Sequence, residues 1–126
     1  MDGDQWLRAG STRGPVTWLT GPPGEPRLRT YPLPGTVGLQ AVGEVDAANQ
    51  RLWAAAVEPL FERGVDVYLD LSGLTFIGVA GSTTVAVAAQ RLPAGRRLVL
   101  RRPPVTFGRV LNVMWPDLAQ IEVHPC

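Results

Sequence analysis

The chain contains no lysine, one cysteine and one histidine, and no apolar run near the ~20 residues a membrane-spanning helix needs. Each absence closes a class of function. Without lysine there is no Gly-x-x-x-x-Gly-Lys-Ser/Thr phosphate loop, and no Gly-x-Gly-x-x-Gly follows a candidate strand. The lone cysteine, Cys126, excludes an internal disulfide, and with a lone histidine it leaves no metal cluster. That histidine, His124, sits near the C-terminus, where it is expected to be frayed and inert rather than part of a catalytic triad. A net charge of +1 supplies no field for nucleic acid or an anionic membrane, and no basic face with interleaved aromatics is present. The acidic start Met1-Asp2-Gly3-Asp4 lacks the basic n-region of a signal peptide, so a cytoplasmic protein is expected.

Paired carboxylates offer little more. Asp66 and Asp70 are four apart in a candidate strand and share a face, but at ~3.3 Å per residue they stand ~13 Å apart, too far for a dyad. Glu44 and Asp46 are closer, although Asp46 is better explained as a helix cap. The expectation is a protein without catalysis, cofactor or metal. All 12 basic residues are arginine, which reads as coding bias. The pairs Arg96-Arg97 and Arg101-Arg102 read as solvated ends of the strand between them.

What is present suits one globular domain. The 126 residues are enough to bury a core, and 45% apolar with 18% charged content is ordinary for a soluble fold. Residues 1–25 form a Pro/Gly-rich lead that cannot supply a continuous apolar face, and the domain is expected over 26–126. Trp6, Trp18 and Leu19 sit oddly in such a lead. Either Val16-Thr17-Trp18-Leu19 packs as an edge strand, where proline is tolerated, or the lead docks on a partner.

From Val37 the patterning alternates between strand and helix. Val37–Val42 reads as a strand ending at Gly43-Glu44-Val45, and Asp46 caps a helix from Ala47. Leu52, Ala56 and Leu60, with Trp53, Val57 and Phe61, give that helix a wide apolar stripe; Pro59 should kink or loosen it, and Gly64 suits its C-terminal end. Val65–Leu71 reads as a strand, with Ser72-Gly73 as a turn signal. The β-branched run Thr83–Val87 favours a strand by propensity, but Gly81, Val85, Ala88 and Leu92 repeat at helical spacing and predict a helix over Ala80–Leu92. A strand at Arg97–Leu100, a helix at Val105–Met114 after Pro103-Pro104, and a strand at Leu118–Val123 complete a β-α-β-α-β-α-β order. The fold class is α/β, with a mixed, mostly parallel sheet of about four or five strands and helices packed against it.

Two segments carry a family resemblance. Gly43-Glu44-Val45-Asp46-Ala47-Ala48-Asn49, followed by Leu69-Asp70-Leu71-Ser72-Gly73-Leu74-Thr75-Phe76-Ile77 before a small-residue turn and helix, resembles the STAS domain of bacterial anti-sigma-factor antagonists over roughly Thr36–Val123. The turn Val79-Ala80-Gly81 also resembles STAS modules joined to MEDS-type sensory domains. The resemblance implies a regulatory domain that binds an anti-sigma factor or related kinase, through Glu44, Asp46 and the turn Gly78, Val79, Ala80, Gly81 and Ser82.

In that family the turn reads Phe-Ile-Asp-Ser-x-Gly, and its serine is phosphorylated by an anti-sigma factor that is also a kinase, which ends binding. Here Gly78 stands at the aspartate and Val79 at the serine, so the usual phosphoacceptor is missing. Ser82 is the remaining weak candidate; its plainer reading, like that of Thr83 and Thr84, is a hydroxyl bonded locally to backbone. Gly78 reads as a kink that uses positive φ. An alternative implied by the resemblance is a sensory module that binds a small ligand such as a nucleotide or lipid, although no basic residue lies in the turn.

Overall fold

Strand and helix alternate through the computed structural model, which describes residues 27–125. The expected Val16–Leu19 strand, Trp6, Trp18 and Cys126 lie outside the described residues. Strands β1 (Leu28–Pro32) and β2 (Gly38–Val45) form an antiparallel hairpin. A single 3-10 turn (Ala47–Asn49) leads into α1 (Gln50–Phe61), then β3 (Val67–Ile77), α2 (Val79–Gln90), β4 (Leu98–Arg101), α3 (Val105–Met114) and β5 (Ile121–His124). The sheet order is β1-β2-β3-β4-β5, and every pair after the hairpin is parallel.

Because each parallel strand is laid beside its predecessor in the same direction, right-handed crossovers put all three helices on one face of the sheet. In keeping with this, α1 packs on α2 and α2 on α3. The inward positions of the strands, among them Leu39, Ala41 and Val45 on β2 and Leu69, Leu71 and Ile77 on β3, meet Trp53, Val57, Val85 and Phe107 from the helices. The expected α/β sheet is present with five strands.

Several boundaries differ from the sequence expectation for identifiable reasons. Ser72-Gly73 is no turn; it lies inside β3, which runs on to Ile77 rather than stopping at Leu71. Gln40 pairs with Asp70 but Val42 with Gly73, so β3 carries an extra residue there, and a second between Gly43–Leu74 and Glu44–Phe76. These are β-bulges. The Asp70 carboxylate accepts from the Ser72 amide and hydroxyl at 3.0 and 2.6 Å, so turn chemistry is used to hold a bulge.

Asp66 precedes the strand, and its carboxylate accepts from the Arg97 amide. The final strand starts later than expected and includes His124, which contacts Glu122 and is not a frayed end. α1 continues only two residues past Pro59. The helical reading of 80–92 holds despite its β-branched run, because Gly81, Val85, Ala88 and Ala89 bury one face against the sheet and α1. Strand β1, which sequence reading left unassigned, is fixed by Gly43: its φ is +111°, and a Cβ there would lie 2.0 Å from the Arg27 carbonyl oxygen.

Candidate functional site

The C-terminal ends of β2 and β3 run side by side and bring the two sequence motifs together. Val45 pairs with Ile77, and the Gly78 amide donates to the Val45 carbonyl at 2.9 Å. The Glu44–Asp46 segment and the Gly78–Ser82 turn are therefore one surface, although more than thirty residues separate them in sequence.

On the first segment, Asp46 acts as the expected cap. Its carboxylate accepts from the amides of Ala48 and Asn49 at 2.9 and 3.3 Å, while the Asn49 side chain accepts from the Asp46 amide, a reciprocal capping box. Buried Asn49 also donates to the Glu44 carbonyl at 2.9 Å, which fixes the end of β2. Arg27, which no motif singles out, reaches Asp46 at 2.9 Å. Asp46 is thus occupied by structure, whereas Glu44 is exposed.

On the second segment, Gly78 is the N-cap of α2 with φ −76° and ψ 176°, an extended conformation open to any residue. The expectation of a positive φ is corrected. Nor is space the reason for glycine, since a Cβ would meet its nearest neighbour, the Phe76 ring, at 3.6 Å. No side chain caps α2. Val79 is 58% exposed and Phe76 44% exposed, so two apolar side chains flank this uncapped helix start. Ala80 is exposed beside them.

Plain strand alternation from Leu74 would turn Phe76 inward. The bulge at Thr75, whose hydroxyl donates to the Gly43 carbonyl at 3.2 Å, turns it outward.

Gly81 and Ser82 face the other way. A Cβ on Gly81 would lie 2.8 Å from Val45 Cγ1 and 2.9 Å from Ile77 Cγ1, so this helix approaches the sheet too closely for a side chain. Ser82 is 0% exposed, and its hydroxyl donates to the Gly78 carbonyl at 3.0 Å. Thr84 donates to the Ala80 carbonyl and accepts from Gln50 Nε2. The outward-facing residues are therefore Glu44, Phe76, Val79 and Ala80. Among the described residues no three His, Cys, Asp or Glu side chains are grouped to hold a metal, and no helix is long and apolar enough to cross a membrane.

Residues 33–116 match the family model described as Mlab, STAS domain. Comparison with curated proteins gives no match. Among solved structures, the chain is similar to the anti-sigma factor antagonist SpoIIAA in its unphosphorylated form, with a TM-score of 0.56 and 16% identity, over 77% of this chain and 87% of that one. At that identity the likeness is one of fold.

Proposed function

The chain belongs to the STAS-domain family, and from that membership we propose that it is a non-catalytic regulatory domain whose β3–α2 turn docks a protein partner, an anti-sigma factor or a related regulatory kinase. The observation that carries this reading is the pairing of exposed Phe76 and Val79 at an uncapped helix start, beside exposed Glu44. Exposed apolar side chains next to free backbone N–H groups suit a close protein contact better than solvent.

In such a domain a phosphate at the turn would add bulk and double negative charge to a surface that must dock closely. Val79 has no hydroxyl to accept one, and the nearest serine, Ser82, is buried with its hydroxyl engaged. The proposed role is therefore an antagonist that phosphorylation at this turn does not switch off. The absence of histidine, cysteine and lysine from the turn is consistent with binding rather than chemistry.

The test is capture of partners from the host with the full chain and with Val79→Asp. The expected result is a kinase-like anti-sigma factor bound by the parent chain and lost with Val79→Asp. Incubation with that kinase and ATP should leave residues 76–84 unmodified by mass spectrometry. Capture that returns no such kinase refutes the partner, and phosphate on Ser82 refutes the loss of the switch.

A second reading, a small-ligand sensor, is favoured by a different observation, a cavity on the opposite face of the sheet.

A further inference from the structure

The face of the sheet turned away from the helices carries an open cavity of about 360 Å³. Its volume falls within the range of small-molecule sites, about 300–1,000 Å³. Leu33 and Pro34 from the β1–β2 loop and Tyr68 and Val99 from the sheet make an apolar wall, and Thr36 and Arg101 add a hydroxyl and a guanidinium.

The polar groups here are unequally committed. Arg101 lies between Asp70 and His124 in the strand register. Asp70 accepts from the Ser72 amide and hydroxyl, and His124 contacts Glu122. Among the described residues Arg101 makes no ion pair within 4.0 Å, so none of them engages its fork of donors at the polar end of the cavity. Such a fork matches a carboxylate in bidentate geometry. The neighbouring Asp70 charge penalises a dianionic phosphate more than a singly charged carboxylate.

We propose that this cavity binds a small monocarboxylate with a compact apolar or aromatic body, its carboxylate on Arg101 and its body against Tyr68, Val99, Leu33 and Pro34. The site is distinct from the docking turn. Gly78 lies eight residues beyond Asp70, just past the end of β3, and with the two bulges this is about six strand steps, roughly 20 Å at ~3.3 Å per residue. The inference does not depend on the partner reading, and either can fail alone.

The experiment is titration of the full chain with 3-phenylpropionate, followed by amide shifts in two-dimensional NMR, alongside the neutral 3-phenylpropanamide and the Arg101→Gln variant. Saturable shifts centred on Tyr68, Val99 and Arg101 are expected, with affinity about tenfold or more weaker for the amide and for Arg101→Gln. Arg101 is exposed, so the variant should fold and melt close to the parent chain, short only of the part of the Asp70 charge interaction that Arg101 supplies, which the same samples can show. Absence of saturable shifts with millimolar 3-phenylpropionate overturns the proposal. So does binding that Arg101→Gln leaves unchanged.

Discussion

The indole Nε1 of Trp53 donates to the carbonyl oxygen of Gly81 at 3.1 Å, across the seam between α1 and α2. Trp53 is 0% exposed, so this is a buried donor whose loss would cost more than an exposed one. The contact also sets the start of α2 against the sheet, because Gly81 presents bare backbone to Val45 and Ile77. One interaction thus ties the packing of two helices to the place where the β3–α2 turn begins.

Substitution Gly81→Ala should destabilise the domain. Overpacking a filled site costs about 1–3 kcal/mol, and better helix propensity returns up to about 1 kcal/mol. A net loss of about 1–2 kcal/mol is expected in urea unfolding. An unchanged midpoint would mean that Val45 and Ile77 move aside, and that the close approach is not required.

Gly78→Asp should do the opposite. The position has ordinary extended dihedrals and room for a Cβ, and α2 has no side-chain cap. An aspartate there can accept from the first-turn amides and meets the positive end of the helix dipole. A gain of about 0.5–1 kcal/mol is expected, partly from a less flexible unfolded chain. Equal or lower stability would show that the turn cannot place a capping carboxylate.

Asp46 separates capping from ion pairing. Asp46→Ala removes the acceptor for the Ala48 and Asn49 amides and should cost about 1 kcal/mol. Asp46→Asn keeps an acceptor and loses only the partly exposed Arg27 pair, so its cost should stay below about 0.5 kcal/mol. Equal losses for the two variants would place the stabilisation in the ion pair instead.

Asp70 gives a pH-dependent prediction. Burial raises its pKa, but the Ser72 hydroxyl and amide and the charges of Arg101 and Arg102 outweigh burial and hold it below the ordinary 3.8. A carboxylate with a depressed folded pKa contributes stability that is present above the unfolded value and is lost as pH falls through the folded value. The parent chain should therefore exceed Asp70→Asn in melting temperature near neutral pH. The gap should close below pH 3.8 as the carboxylate protonates. A gap that persists through that window would assign the effect to geometry rather than charge.

Local chemistry wrote much of this fold into the chain. The capping box at Asp46 and Asn49, the apolar stripe of α1, the helix at Val105–Met114 and the alternation of strand and helix all depend on neighbours within a few residues. The same holds for the β3–α2 turn, because a strand leading into a small-residue helix start is legible in any α/β sequence. That Gly78 and Val79 carry neither an acid nor a hydroxyl is likewise a fact of the sequence alone.

Other features needed the assembled sheet. Ser72-Gly73 has the composition of a turn, yet pairing with β2 absorbs it as a bulge, and a second bulge at Thr75 decides that Phe76 faces solvent. Strand β1 exists because Gly43 lets the Arg27 carbonyl approach its backbone, a contact between residues sixteen apart. The cavity at Arg101 is assembled from the β1–β2 loop and three strands, so no local window contains it. The sequence alone thus determined the order of elements and the absence of a hydroxyl at Val79, because both depend on local residue chemistry. Tertiary structure decided which side chains surround that turn, because strand register and close backbone approach are relations between segments distant along the chain.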